Sequence, residues 1–484
     1  MLYRALENSA KHHPEKIAVV GTRCAYTFAE LQRQTRGIAR YFQEHGLGPG
    51  DHLLAGIPPS PEFYALFIAA AALGIVTIPV LPTGKVPDSI KAVQSPAVAG
   101  TKDFVARLSA GGIAAKHTLL WHARQGLALA LPDGEFARKK IIRREAVLGT
   151  SSSGTTGEPV IFLRSAEYLY RRARMGAIAW RIAPDDTMLS TGPFTSGLNT
   201  TNHLVLPIVQ GLKTVVLENF HRRQVIDAIA RERVTVLFTV PMVFDLLARL
   251  PAAYNADLSS LRRCISGGTH LPRDIYDRFY RRFGLRLAQG YGGAHFVPAF
   301  TVNLNGSPGA VGRKNGLFPV KIVDAKGKIV AAGAVGEIVF DISQVKYAWA
   351  KAVLQRNANR RDGYVYTGDL GRLDEDGNLF VIGRISRVVK VGANRVAPAE
   401  VEDALRAHPR VKDAVVFPVR PGQPDEAVAA VVVPNGAVTS EELVNHCARS
   451  LDAYKCPQTI SFRGALPRNA HGKVIRYLYD HPSE

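Results

Sequence analysis

Every residue from Gly149 to Gly157 is Ser, Thr or Gly, in the run Gly149-Thr150-Ser151-Ser152-Ser153-Gly154-Thr155-Thr156-Gly157, followed by Glu158-Pro159. The run offers hydroxyl and backbone N–H donors on a main chain slim enough for close approach. Glycines permit φ > 0 and concave nests of N–H groups, the geometry that wraps polyphosphate. A Ser/Gly run is more often a plain flexible loop, so its setting decides the reading. It follows the apolar Ala146-Val147-Leu148, and ligand-binding loops of α/β folds lie at the carboxyl ends of strands. The spacing imitates a Gly-x4-Gly-Lys phosphate loop, but Thr155 occupies the place of the lysine that would reach the β- and γ-phosphates. That cation must come from elsewhere in the chain.

The order of patterns around the loop predicts an α/β fold. Tyr26-Thr27-Phe28-Ala29-Glu30-Leu31 opens an amphipathic helix running to about Glu44, closed by the glycines and proline of 45–51. Strand-like Thr214-Val215-Val216-Leu217 precedes a helix over 224–232 and then the strand-like 234–240. Short apolar strands alternating with helices imply parallel sheets covered on both faces. The uncharged stretch 63–80 is nearly long enough to span a bilayer. Gly74 divides it, however, and helix, glycine cap and buried strand is the better reading. After the strand-like Leu379-Phe380-Val381-Ile382 the character changes, and the remainder suffices for a small α/β domain. Its expected elements are a helix over 398–408, strands at 414–417 and 427–433, and a helix over 441–450. The expected organisation is a large N-terminal domain at 1–383, a hinge at 384–387 and a small mobile C-terminal lid at 388–484.

At 484 residues the chain exceeds one simple core. Its four cysteines, Cys24, Cys264, Cys447 and Cys456, show neither CxxC nor Cys/His spacing. They read as reduced thiols of a cytoplasmic protein without a metal site, and the charged start shows no secretion signal. The formal charge of +20 favours acidic partners, among them nucleotides, coenzyme A and an acidic carrier protein. A solvated basic face accounts for that charge equally well. No nucleic-acid module is recognisable, so nucleic acid is not an expected partner.

Further pieces follow the loop in order. They are Ser266-Gly267-Gly268-Thr269, Gln289-Gly290-Tyr291-Gly292-Gly293, Tyr366-Thr367-Gly368-Asp369-Leu370, Gly383-Arg384, the stretch 390–402, and Leu466-Pro467-Arg468-Asn469-Ala470-His471-Gly472-Lys473-Val474-Ile475-Arg476. Each alone occurs in unrelated loops. Together and in this order the set resembles the adenylate-forming superfamily of acyl-CoA synthetases, stand-alone adenylation enzymes and luciferases. The resemblance implies that a carboxylic acid and ATP form an acyl-adenylate with loss of pyrophosphate. The acyl group then passes to the thiol of coenzyme A or of a carrier protein's phosphopantetheine. By the same resemblance Ser152, Ser153, Thr155 and Thr156, with Gly154 and Gly157, hold the β- and γ-phosphates. Gly268 packs flat under the adenine, Tyr291 offers it an aromatic face, Thr269 and Gly292 belong to the same nucleotide site, Asp369 accepts from the ribose hydroxyls and Arg384 assists at the ribose or phosphate edge. Lys473 is the catalytic cation, bridging the acid's carboxylate and the α-phosphate.

Four positions depart from the family pattern. Val160 stands where a lysine is frequent, and Ser386 where the hinge is usually acidic. His295 replaces the glutamate that holds Mg2+, and imidazole is a poor ligand for so hard a cation. Magnesium use is therefore expected to be weak, with ATP oxygens and water as its ligands; a protonated His295 could instead bond a phosphate directly. Ala393 replaces a glycine of the thiol channel formed with Gly392 and Arg395, where an added methyl is costly unless its neighbours shift. The expected acyl pocket draws on Phe194, Ser196, Asn199, Gly267 and Gly293. No carboxylate appears in 193–199 to receive an α-ammonium group, which disfavours an ordinary amino acid. Thr195, Ser196, Asn199 and Thr200 suit an aryl or hydroxylated acid, with an unsubstituted fatty acid as the alternative. His203 and His270 are further candidates, although histidines serve more often in cores and on surfaces. The alternative to a working ligase is a degenerate member that binds nucleotide or acyl ligand with little turnover. If Lys473 supplies the missing cation, Lys473→Ala lowers acid-dependent pyrophosphate exchange by about 10²–10³-fold, as loss of one preorganised charge does; undiminished exchange overturns its role.

Overall fold

The computed structural model describes residues 1–84, 86, 88–122, 125–127, 136, 146–151, 161–254, 256–292, 301–304, 308–314, 319–345, 359–392, 394–468, 474–475 and 479. They form two compact units, Met1–Thr239 with Arg249–Ile265, and Val240–Ala248 with Ser266–Glu484.

Parallel sheets organise the first unit. In one, His117–His122, Ala97–Gly100, His52–Gly56, Val76–Pro79 and Ala146–Ser151 run parallel in that spatial order, with Ile161–Ser165 antiparallel at the edge. In the other, Val236–Thr239, Thr187–Ser190, Lys213–Val216 and Ile17–Val20 are successive parallel neighbours, and Ala25–Thr27 returns antiparallel. Val76–Pro79, Ala97–Gly100, Thr187–Ser190 and Val236–Thr239 are buried throughout, as strands covered on both faces must be. The phosphate-type run thus begins on a strand with a parallel neighbour, Thr77 lying beside Leu148. Residues 152–160 lie outside the described set.

Local chemistry sets the helix ends. Thr27 caps Phe28–Glu44 in a reciprocal box: its Oγ1 accepts from Glu30 N at 3.2 Å, and its own N–H donates to Glu30 at 2.8 Å. Ser60 caps the almost wholly buried Pro61–Leu73, which Gly74 ends at φ +78° before the strand Val76–Pro79. The uncharged stretch is therefore core. No helix among the described residues is long and apolar enough to cross a membrane.

The second unit departs from the parallel expectation. Its sheet is antiparallel, in the order Val320–Val323, Gly336–Asp341, Tyr364–Leu373, Asn378–Arg384, Gly312–Lys314, Thr301–Asn303, Leu287–Tyr291. Several of these strands are three or four residues long and carry little periodicity. One signal was nevertheless present: Asp376-Gly377 between apolar runs is a hairpin turn. Gly377 takes φ +78°, and Asp374 accepts from the Asn378 backbone and side-chain amides at 2.7 and 2.8 Å. The turn pairs Leu373 with Leu379 and, after a bulge at Leu370/Gly371, Asp369 with Arg384.

The C-terminal residues have a core of their own. Val401 and Leu405 of Pro398–Ala407, Val416 of Val411–Val419, Val428 and Val432 of Ala427–Pro434, and Leu443 of Ser440–Ala448 pack together. These elements match the sequence reading to within a few residues at each end.

Gly371 tests the sheet that carries the hairpin. A Cβ there would lie 2.7 Å from the Phe380 carbonyl oxygen and 2.8 Å from Ile338 Cδ1. Gly371→Ala should lower stability by about 1–3 kcal/mol, as overpacking does, read as a reduced urea midpoint.

Candidate active site

The strands Tyr364–Leu373 and Asn378–Arg384 place a carboxylate opposite a guanidinium. Arg384 Nε lies 2.8 Å from Asp369 Oδ1, and Arg384 Nη1 donates to the Thr367 carbonyl at 3.3 Å. From the end of Leu287–Tyr291, the Tyr291 hydroxyl donates to Asp369 Oδ2 at 2.5 Å. The Tyr291 ring stacks on Phe340, centroids 6.4 Å apart and planes 23° from parallel.

The backbone beneath is tied down. Thr367 Oγ1 donates to Ile338 O at 2.8 Å and accepts from Asp369 N at 3.1 Å. Gly368 takes φ +73°, and its N–H donates to Glu337 Oε1 at 3.0 Å. Thr367 lay within a recognised motif, but its doubled role was not legible. Neither Glu337 nor Phe340 carries any motif signal.

Asp369 is buried, and burial raises its carboxyl above the ordinary value, against the pull of Arg384, Tyr291 and Arg387. Burial and the neighbouring Asp369 charge hold the Tyr291 phenol well above its usual range. The phenol therefore stays a donor. A carboxylate oxygen offers more than one acceptor site, so Asp369 retains capacity for a pair of ligand hydroxyls. Arg384 is half exposed and keeps N–H groups for anionic oxygens.

The other expected positions are distributed as follows. Gly267 is buried just beyond Arg263–Ser266, while Gly268, at φ +84°, and Thr269 are exposed, as is Gly292. Phe194 belongs to the first unit and packs against Phe63 and Tyr64, with centroids 5.0 and 5.7 Å away. Ser196 caps a short turn by accepting from Asn199 N at 3.2 Å, and Asn199 Nδ2 donates to Pro193 O at 2.8 Å. Both polar groups are thus engaged locally. His203 is fully buried on a π-helical turn, Thr200–Val205. His270 Nε2 meets Asp403 of Pro398–Ala407 at 2.8 Å. Asp403 is half-buried, and His270 and Arg406 hold its carboxyl below the usual range against the effect of that burial. Gly392, at φ +58°, and Arg395 are exposed on the hairpin formed by Val389–Val391 and Asn394–Val396. Ser152, Ser153, Gly154, Thr155, Thr156, Gly157, Gly293, His295, Ala393 and Lys473 lie outside the described residues. Among the described residues no three His, Cys, Asp or Glu side chains come together to hold a metal ion.

A buried carboxylate flanked by an arginine and an aromatic ring thus stands on these motif positions of the α/β fold. The AMP-binding enzyme family matches residues 6–94 and 139–345, and the AMP-binding enzyme C-terminal domain matches 400–473. The chain belongs to the AMP-binding enzyme family and is an acyl-CoA synthetase-like ligase. It is 28% identical to a feruloyl-CoA synthase of Amycolatopsis sp. over 96% of each chain. To 4-coumarate–CoA ligase 2 of Nicotiana tabacum it is 26% identical, over 93% of this chain and 88% of that one. The fold matches the ATP-bound chimera B3 of RpMatB and BxBclM at TM-score 0.85 and 23% identity, covering 100% and 99% of the two chains.

Asp369→Asn should weaken AMP binding by about 10–100-fold, the range of a hydrogen bond to a charged group, as measured by calorimetry. Because burial raises this carboxyl, wild-type affinity should fall on acidification at a higher pH than an exposed carboxylate would dictate. The carboxylate is the form needed, and it is lost as pH drops through the raised value.

Proposed function

We propose that the protein activates a hydroxylated aryl carboxylic acid with ATP and transfers the acyl group to coenzyme A. The observation that carries this reading is the Tyr291–Asp369–Arg384 cluster, which supplies acceptor, donor and cation at positions matching the ribose site of adenylate-forming enzymes. The relatives named for feruloyl-CoA and 4-coumarate–CoA synthesis support an aryl acid. So does the aromatic surrounding of Phe194.

In the first step a carboxylate oxygen of the acid attacks the α-phosphorus, and the bond to pyrophosphate breaks. Lys473 neutralises charge building between the two anions, while the hydroxyls of Ser152, Ser153, Thr155 and Thr156 bind the departing phosphates. Residues 388–484 act as a lid turning about 384–387 to deliver Lys473. In the second step the coenzyme A sulfur, as thiolate, attacks the acyl carbon and AMP leaves. A second reading, a nucleotide-binding member with little turnover, is favoured by His295 and Ala393.

Pyrophosphate exchange across hydroxylated aryl, aliphatic and α-amino acids, followed by thioester analysis with coenzyme A and with a phosphopantetheinylated carrier, tests both readings. Hydroxylated aryl acids should exceed aliphatic ones by at least about tenfold, and coenzyme A should yield the thioester. Preference for aliphatic acids overturns the assigned substrate. Nucleotide binding without exchange for any acid, together with activity gained by His295→Glu, establishes the second reading.

A further inference from the structure

We infer that His203 is a specificity residue, a neutral imidazole that hydrogen-bonds an uncharged hydroxyl on the part of the acid remote from its carboxylate. This rests on the aryl-acid reading above and names the group that selects the acid.

His203 has no solvent exposure, and neither ring nitrogen meets a partner at hydrogen-bond geometry. The Phe238 backbone is near enough to pull the imidazole up slightly, against the larger effect of burial. Buried polar atoms in folded proteins are almost always paired, and one left unpaired calls for an explanation. Burial pushes the imidazole down to about 4, so the ring is uncharged at neutral pH. Neutral imidazole presents one N–H donor and one bare acceptor nitrogen, complementary to a hydroxyl, which also donates and accepts.

The surroundings point the same way. His203 lies on the π-helical turn Thr200–Val205, where the Leu206 N–H reaches back to Thr201 O. Such turns interrupt a regular helix at some expense and are frequent at functional sites. The Tyr64 hydroxyl donates to the His203 carbonyl, fixing the backbone while leaving the ring unengaged. Aromatic rings flank it: Phe238 stands edge-on at 6.2 Å, and Trp180 packs on Phe238 at 5.3 Å. Two more buried hydroxyls of the same stretch, Ser190 Oγ and Thr195 Oγ1, also lack partners. Thr191 and Thr239, by contrast, satisfy each other at 2.7 Å. Ser190 ends a parallel strand whose Leu189 lies beside Leu237, and α/β folds bind ligands at that end of the strands.

Charge narrows the class. No Asp, Glu, Lys or Arg occurs in 187–212, so this stretch offers no counter-charge to a second carboxylate or an ammonium group on the acid. Because solvent does not reach the ring, an acid gains the contact by displacing side chains of the wall, and only one long enough does so.

The test compares kcat/KM for a hydroxyaryl acid and its deoxy analogue in the full-length wild type, His203→Leu and His203→Asn. The wild type should prefer the hydroxy acid by about 10²-fold, since a site built to bond a hydroxyl rejects the analogue lacking it. His203→Leu should bring that ratio close to one, and His203→Asn, which keeps a donor and an acceptor, should retain part of it. A purely structural histidine would lower both rates together and leave the ratio unchanged, which overturns the inference. Exchange by the wild type without discrimination overturns it alone, with no need for a variant to fold. Absence of exchange with every acid overturns the aryl-acid reading and this inference together.

Discussion

A carboxylate withdrawn from water must be met by donors, and in the second unit that requirement falls on Asp369. Tyr291 and Arg384 meet its two oxygens, and Thr367 Oγ1 ties down the backbone beneath by accepting from the Asp369 N–H. Arg384 is half exposed, so solvent screening leaves the ion pair itself worth no more than about 1 kcal/mol. Its contribution is orientation. The carboxylate is held in one pose with acceptor capacity left over, and a ligand's hydroxyls meet a group that need not reorganise.

Two carboxylates, one buried and one half-buried, show how neighbours decide the outcome. Burial dominates at Asp369 and raises its carboxyl, whereas at Asp403 the His270 and Arg406 contacts outweigh burial and lower it. Asp403 is thereby held in the form that suits an ion pair. At Asp369 the same kinds of neighbour only offset burial in part. His203 stands at the opposite extreme, a group so desolvated that it is neutral across the physiological range.

Much of this was legible in the chain before folding. Gly74 could be read as a helix end because a left-handed residue beside a buried strand suits little else. The capping box at Thr27 and Glu30 announced Phe28–Glu44. Tyr291, Asp369 and Arg384 were recognised through their motifs, and the fold brings Tyr291 and Arg384 within hydrogen-bond reach of Asp369. What escaped were partners whose importance comes from pairing across strands. Glu337 holds Gly368 and Phe340 supports the Tyr291 ring only because the register between strands puts them there. The antiparallel sheet escaped for a related reason: three-residue strands such as Thr301–Asn303 and Gly312–Lys314 are too short to show alternation. His203 was visible only as one histidine among several, since the unpaired state of its ring is a property of packing.

The tight turn at 374–378 carries a consequence for how this gene product can diverge. Residues on adjacent strands face each other by count, and adding or deleting one residue between Leu373 and Leu379 would reverse which side each following side chain occupies. Arg384 would then leave Asp369 even though no residue of the pocket had changed. The loop at the ribbon's tip can therefore drift in composition, provided Gly377 keeps its left-handed backbone, but its length is bound to the chemistry at the far end of the strands.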